Sequence, residues 1–219
     1  MSSIPERAEQ APPKRSRGRP QTVSRDAIAA AGLDLFLRDG FERTTMTQIA
    51  AEAAVGRKTL FTYFPNKADI VWNRFERQLH DLSTSLESAP PDMSSTDAVL
   101  RAVMRALHTY PAAVPVMRAE VTLIQETPEL QSYAFMRGRP WRDAIATFLG
   151  ERERMDPRGV LPEVAGHGYW HAMFIGFREW LASEDEAPKP HVERALGEYS
   201  AAIRAAFDAA AQERDPELS

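Results

Sequence analysis

Apolar residues recur every three or four positions through most of this chain, and proline or glycine clusters separate one run from the next. No stretch shows the sustained alternation of apolar and polar residues that a half-buried strand requires. The pattern therefore predicts an all-α protein with about nine helices. Two of them are expected to be long and unbroken, over residues 67–86 and 128–148. The predicted starts lie near Ser24, Thr45, Arg57, Lys67, Ser95, Pro115, Pro128, Val164 and Val192.

Residues 45–67, TMTQIAAEAAVGRKTLFTYFPNK, predict two short amphipathic helices around a turn at Gly56. Ile49 marks the buried side of the first helix, and Leu60 and Phe64 mark that of the second. A short helix that is apolar behind and cationic at its N-terminal end fits a DNA major groove. The side chains left facing outward on the second helix are Arg57, Lys58, Thr59 and Thr62.

The formal net charge of −4 is unevenly distributed. Residues 1–70 carry 11 Lys and Arg against 8 Asp and Glu, whereas residues 71–219 carry 16 against 23. A basic N-terminal part followed by an acidic remainder indicates a polyanionic partner for the N-terminal part alone. A solubilising tail is the alternative, because much of the positive charge lies in residues 14–19.

The composition is 43% hydrophobic and 26% charged over 219 residues, so the chain can bury a sizeable core. It has no cysteine, which excludes disulfides and thiolate metal sites and fits a reducing compartment. No apolar run approaches the roughly 20 residues that span a bilayer, and the N-terminal residues lack the apolar segment of a secretory signal. We therefore expect a cytoplasmic protein with no membrane partner, no metal and no cofactor.

Residues 1–21 are rich in proline, serine and arginine without periodicity, which predicts a disordered basic arm. Its segment Arg17-Gly18-Arg19-Pro20 is suited to lie along a DNA minor groove. The alternative is a flexible cationic leader with only weak attraction to phosphates.

Histidines four residues apart, His167 and His171, follow Glu163 by one and two helical turns. Such a row is a candidate metal site on one helix face. The segment lacks the glutamate that follows the first histidine in metalloprotease motifs, so a dimer-facing or pocket-lining histidine is the favoured interpretation. A metal-dependent enzyme using this row is kept as an alternative function.

Wide apolar stripes run along the last two segments, residues 164–183 and 192–210. Two amphipathic helices per subunit can pack against their symmetry mates in a four-helix contact. The alternative is that they only cover the core of one subunit. The candidate dimerisation residues are Val164, His171, Leu196, Tyr199, Ile203 and Phe207.

Residues 24–75 combine apolar positions, a turn glycine, an aromatic pair and a lysine at fixed offsets. These motif residues are Thr45, Thr47, Ile49-Ala50, Ala54-Val55-Gly56, Thr59-Leu60, Tyr63-Phe64 and Lys67. With this combination, residues 24–75 resemble the TetR-type one-component transcriptional regulators. Residues 56–72 and 123–130, together with Trp141, are similar to a sub-branch that includes the mycofactocin-system regulator.

The resemblance implies a homodimer that binds double-stranded, palindromic operator DNA and responds to a small-molecule effector. It implies a DNA-binding domain over residues 22–68, a helical ligand-binding and dimerisation domain over residues 69–212, and a tail over residues 213–219. Arg57 matches a position that reads base edges, and its fork of donors suits guanine. Thr47 and Lys67 match positions that hold phosphates. The full set of implied DNA contacts is Thr45, Thr47, Arg57, Lys58, Thr59, Phe61, Thr62, Tyr63 and Lys67.

One position departs from the family pattern, which commonly has tyrosine where this chain has Phe61. A phenyl ring cannot donate a hydrogen bond to a phosphate. Tyr63 does not replace it, because residues i and i+2 point to different sides of a helix. Lys58 is the candidate for the missing backbone affinity.

Methionine and aromatic side chains suit irregular apolar ligands, although at helical spacing plain core packing is the alternative. The resemblance places an effector pocket in the C-terminal domain. Its candidate residues are Met104, His108, Met117, Val121, Tyr133, Arg137, Trp141, Trp170, Met173 and Phe177. The expected function is a ligand-responsive regulator, most often a repressor in this family. A sequence-tolerant DNA-binding protein without an effector is the alternative.

Overall fold

The computed structural model describes residues 24–108 and 114–214, which form eleven helical segments and no strand. The prediction of an all-α fold is confirmed. The predicted arm lies outside the described residues, as does the predicted tail beyond Arg214. The segments are α1 (Arg25–Asp39), α2 (Met46–Glu52), α3 (Arg57–Tyr63), α4 (Ala68–Val71), α5 (Phe75–Glu87), α6 (Ser95–His108), α7 (Val114–Glu126), α8 (Pro128–Arg137), α9 (Arg139–Arg152), α10 (Val160–Leu181) and α11 (Lys189–Arg214).

The prediction of two long, unbroken helices is wrong, and each of them is divided. The first breaks at residues 72–74, where a turn lets Trp72 and Phe75 both pack on Trp170, with ring centroids 6.3 Å from it in each case. The second breaks at Gly138, where a Cβ atom would lie 2.5 Å from the indole of Trp170. Pro140 follows two residues later and disfavours a continuous helix through this point. Tertiary packing of one tryptophan therefore accompanies both breaks.

The first four helices form a small head around a shared apolar core that includes Ile28, Phe36, Ile49, Leu60 and Ile70. Local capping sets the helix starts. The hydroxyl of Ser24 accepts from the backbone N–H of Ala27 at 3.1 Å, as its position as a predicted N-cap requires. Thr45 and Gln48 form a reciprocal capping box at the start of α2. These caps fix where α1 and α2 begin.

A Schellman motif ends α2, and its left-handed residue is Ala54, with φ of 52°. The backbone N–H of Val55 donates to the carbonyl of Ala50 at 2.9 Å, and that of Ala54 donates to Ala51 at 3.1 Å. Gly56, at the turn as predicted, has an ordinary φ of −69° and is the N-cap of α3. The strained position of the helix–turn–helix is therefore an alanine and not the glycine.

The body is built around α10, which packs against α9 on one side and α11 on the other. Small residues allow this close approach. A Cβ atom on Gly166 would lie 2.5 Å from the carbonyl oxygen of Arg142, and one on Gly176 would lie 2.5 Å from the Cα atom of Val192. The buried hydroxyl of Tyr169 lies 3.0 Å from the Ser200 hydroxyl and joins α10 to α11. In the described part of the chain, no helix combines the length and the apolar character that crossing a bilayer would need.

Candidate DNA-binding surface and effector cavity

The outer side of α3 presents cationic, hydroxyl and aromatic side chains to solvent. Arg57, Lys58 and Thr59 are exposed in its first turn, and Phe61 is 42% exposed. The hydroxyl of Thr62 donates to the carbonyl of Lys58 at 2.9 Å, so its proton is already used and its lone pairs remain as acceptors. The buried side of the helix is anchored in the head core by Leu60, which has no exposed surface.

Two of the residues implied to hold DNA also have partners inside the head. The backbone N–H and the hydroxyl of Thr45 both donate to the side chain of Gln48 at 2.8 Å, as part of the capping box. The ammonium group of Lys67 donates to the carbonyl of Phe41 at 2.9 Å and lies 4.3 Å from the centre of the Phe41 ring. Tyr63 is half-buried, whereas Thr47 is exposed on α2. Lys67 therefore has a structural contact in addition to its predicted role.

A cavity of about 80 Å³ lies between α5, α6, α7, α9 and α10 of the body, the end of α4 and the link that joins α4 to α5. Its walls are largely aromatic and aliphatic. Ligand sites usually enclose 300–1,000 Å³, so this cavity must widen to admit an effector. The lining residues are Val71, Trp72, Arg74, Phe75, Gln78, Leu107, Met117, Glu120, Val121, Ile124, Trp141, Trp170, Met173, Phe174 and Phe177.

Six of the ten candidate ligand residues meet at this cavity: Met117, Val121, Trp141, Trp170, Met173 and Phe177. Three others do not line it. Met104 is buried on α6, the hydroxyl of Tyr133 donates to the carboxylate of Asp69, and Arg137 pairs with Glu76 at 2.6 Å. The side chain of the tenth, His108, lies outside the described residues.

The charged pair in the cavity wall, Arg74 and Glu120, is absent from the sequence prediction. A guanidinium nitrogen of Arg74 lies 3.7 Å from a carboxylate oxygen of Glu120. Burial raises the pKa of Glu120 to about 7, and the positive charge of Arg74 opposes that rise. A signal was present in the sequence, because Glu120 shares the apolar stripe of α7 with Met117, Val121 and Ile124 at helical spacing. Near neutral pH this carboxyl group can either donate or accept a proton.

The two segments that were candidates for dimerisation differ in exposure. On α11, Leu196, Ile203 and Phe207 are buried inside the protomer, as the alternative interpretation for this helix expected. Tyr199 is half-buried, and its hydroxyl donates to the carbonyl of Val164 at 3.2 Å. On α10, an exposed stripe follows helical spacing and continues onto α8. We call this stripe the α10 patch, and its residues are Phe135, Val160, Val164, His167, His171 and Ile175.

The histidine row does not form a metal site in the part of the chain that the structure describes. A ring nitrogen of His171 lies 2.9 Å from the backbone carbonyl of His167. No group of three or more His, Cys, Asp or Glu residues in the described ranges is arranged to hold a metal ion. Burial lowers the pKa of His167, and the positive charge of Arg142 acts in the same direction. The shift favours the neutral form of this imidazole.

Sequence models of known families match both halves of the chain. The tetR family of bacterial regulatory proteins matches residues 28–71, and the MftR C-terminal domain matches residues 93–204, about half of the chain. The chain belongs to the TetR family. This result confirms the resemblance of the N-terminal helices and of the sub-branch. A TetR-family protein with these two domains is a DNA-binding transcriptional regulator.

Named relatives agree with this assignment. The Mycobacterium tuberculosis protein named as the mycofactocin biosynthesis transcriptional regulator MftR is 29% identical over 174 residues, covering 78% of this chain and 87% of the relative. The transcriptional repressor LfrR of Mycolicibacterium smegmatis is 30% identical over 174 residues, covering 79% and 86%. The relatives are regulators and not enzymes.

Solved structures support the TetR fold. The FadR repressor of Thermus thermophilus, solved with lauroyl-CoA, superposes with a TM-score of 0.55 at 22% identity, over 82% of this chain and 93% of that one. The SmeT–triclosan complex superposes with a TM-score of 0.55 at 20% identity, over 81% and 90%. At these identities the similarity concerns the fold alone.

Proposed function

We propose that this TetR-family protein is a cytoplasmic, homodimeric repressor that leaves its operator when a small apolar or amphipathic molecule enters the aromatic cavity. The observation that carries the proposal is the placement of the cavity. Four of its lining residues, Val71, Trp72, Arg74 and Phe75, belong to the segment that joins the DNA-binding head to the body. A molecule that widens the cavity therefore pushes on the connection between the two parts.

On the DNA side, the exposed face of α3 supplies the contacts. We assign base reading to Arg57, Thr59 and Thr62, and phosphate contacts to Thr47 and Lys58. One short helix reads few bases, so two heads related by a two-fold axis would read a palindromic operator in successive major grooves. Repression follows if that operator overlaps a promoter.

On the ligand side, the walls favour a molecule with an aromatic or aliphatic body and a polar end. Glu120 and Arg74 provide a carboxyl group and a cation within a mostly apolar enclosure. The indole N–H groups of Trp72 and Trp141 are buried without an acceptor among the described residues, so an oxygen atom on the effector would satisfy a donor there. Two relatives of this fold were solved with amphipathic or aromatic molecules, lauroyl-CoA and triclosan.

For the dimer contact, we propose the α10 patch. Val160 is 81% exposed and Val164 is 54% exposed, and the ring of Phe135 lies 6.2 Å from that of His167. A self-complementary contact about a two-fold axis would cover these apolar groups and set the distance between the two heads. The lowered pKa of His167 favours its uncharged form, which reduces the charge that such a contact would have to bury.

The test is binding to the DNA upstream of the protein's own gene, measured by fluorescence anisotropy against random DNA of equal length. Equal affinity for both would refute an operator-specific regulator and favour a sequence-tolerant binder. Arg57→Ala is expected to relax specificity at one base position, at a loss of about 1–3 kcal/mol for the preferred base. Lys58→Ala should weaken all sequences alike and reduce the salt slope by about one. Lys58 is preferred to Lys67 here, because Lys67 also holds the carbonyl of Phe41.

The effector can be sought with the protein's own fluorescence. Three of its four tryptophans, Trp72, Trp141 and Trp170, line the cavity, so a bound molecule should change their emission. An effector must also release the operator DNA at the same concentration. A compound that quenches tryptophan emission without releasing the DNA would count against the proposed repressor mechanism for that compound class.

A further inference from the structure

The link between α4 and α5 contacts both the cavity and the head. Trp72 and Arg74 line the cavity, whereas Asn73 between them contacts the first helix of the head. We propose that Asn73 is the positioning residue through which the cavity controls the recognition helix α3. The proposal rests on the proposed function and names the residues that carry its regulation.

Both ends of the Asn73 amide are used. Its oxygen accepts a hydrogen bond from Nε of Arg25 at 2.7 Å, and its nitrogen donates to a carboxylate oxygen of Asp26 at 2.7 Å. An amide rotated by half a turn would place donor against donor and acceptor against acceptor. The side chain therefore has one satisfied orientation, and a movement of the link backbone is passed to Arg25 and Asp26 directly.

Arg25 extends this chain of contacts to the recognition helix. A terminal nitrogen of its guanidinium donates to the backbone carbonyl of Tyr63 at 2.8 Å, and the group lies 4.4 Å from the centre of the Phe64 ring. Tyr63 is the last residue of α3, and the last carbonyls of a helix lack partners within the helix. A cation there also complements the helix dipole. Arg25 thus fixes the C-terminal end of the helix that carries Arg57 and Lys58.

The link is the part of the cavity wall best suited to move. The walls from the body are helices of 13 residues or more, whereas residues 72–74 form a turn after the four-residue helix α4. The cavity of about 80 Å³ must widen to accept an effector. Displacement of Trp72 or Arg74 would shift Asn73, and through Arg25 it would change the tilt of α3 relative to its partner in the dimer.

The test replaces the unidentified effector by a larger side chain in the cavity. Met173 lines the cavity from α10, which belongs to the body and packs mainly against α9 and α11. Met173→Trp should lower operator affinity about tenfold, within the range typical of coupling between two sites. Phe177→Trp, on the same wall, provides a second filling variant if the first does not fold, as judged by far-UV circular dichroism.

The decisive measurement is a double-mutant cycle in operator affinity. In an Asn73→Ala background, the filling variant should lower affinity less than twofold. A reciprocal exchange, Asp26→Asn with Asn73→Asp, keeps the acceptor for Arg25 and reverses the other hydrogen bond, so it should restore the tenfold effect. Asn66→Ala is the matched control, since it removes the hydrogen bond from the backbone N–H of Asp69 without touching Arg25. In that background the tenfold effect should persist.

The outcomes separate the two proposals. If filling the cavity lowers affinity equally with and without Asn73, the coupling exists but runs elsewhere, and the role of Asn73 is overturned. If filling the cavity leaves operator affinity unchanged in the parent protein, the role of Asn73 is overturned together with effector-driven release. If random DNA binds as well as the upstream DNA, operator recognition itself has failed.

Discussion

Replacing Glu120 by glutamine should change how the stability of this protein depends on pH. The carboxyl group is buried in the cavity wall, and its pKa is raised from 4.5 to about 7. The folded protein therefore holds this proton more tightly than the unfolded chain does. Its contribution to stability is fully present below pH 4.5, is lost as the pH rises towards 7, and stays lost at higher pH. Glutamine has a similar shape and does not titrate, so Glu120→Gln should remove this loss.

The magnitude follows from the two pKa values. Each pKa unit corresponds to about 1.4 kcal/mol, so a rise from 4.5 to about 7 amounts to about 3 kcal/mol in the free energy of unfolding. This figure already includes the attraction of Arg74, because that attraction lowers the pKa. At pH 8, Glu120→Gln should be more stable than the parent protein by about 3 kcal/mol, and near pH 5 the difference should be small.

Urea unfolding at pH 5, 6, 7 and 8, at one protein concentration throughout, measures this difference. The matched control is Glu126→Gln, which makes the same chemical change at an exposed position at the end of the same helix. Parallel stability curves for the parent and Glu120→Gln over this range would refute the reasoning. A Glu120→Gln protein that is less stable at pH 8 would do so as well, since it would mean that the charged pair with Arg74 stabilises the fold.

Three further predictions concern the turn, the helix packing and the dimer. Ala54→Gly should raise the thermal unfolding midpoint by about 1–3 °C. The left-handed backbone of alanine costs about 1–2 kcal/mol, and glycine removes this cost, but the larger conformational entropy of glycine in the unfolded chain offsets part of the gain. A lower midpoint would contradict this. Gly176→Ala should destabilise the protein by about 1–3 kcal/mol in urea unfolding, because its Cβ atom would lie 2.5 Å from the Val192 backbone. Gly197→Ala should not destabilise the protein, because the atom nearest to its Cβ would lie at 3.9 Å. Val164→Glu should convert the dimer to monomers in sedimentation velocity, whereas Thr84→Glu, at an exposed position of α5, should not. A stable dimer with Val164→Glu would exclude the α10 patch as the contact.

The helices of the head could be predicted from the sequence, because they depend on interactions between residues that are close along the chain. Ser24, Thr45 and Gln48 cap helices through neighbours three residues away, and Leu60 and Phe64 lie one turn apart on one face of a short helix. Such interactions depend on spacing along the chain, so the pattern alone predicted the helix–turn–helix and its outward-facing cations. These local interactions did not predict the helix break at Trp72, where packing against Trp170 accompanies a break that no nearby proline or glycine marks.

The cavity, the proposed dimer surface and the proposed coupling contacts depend on the tertiary structure. An apolar stripe shows that a helix face is covered but not by what, and only the tertiary structure shows that other parts of the same protomer cover Phe207 on α11. Glu120 and Arg74 lie 46 positions apart in the chain, and Arg25 and Asn73 lie 48 apart. The sequence by itself predicted the fold class and a short helix with outward-facing cations, because these depend on short-range periodicity, and its motif residues carried the resemblance to the TetR family. Only the folded chain brings together the distant side chains that line the cavity and connect it to that helix.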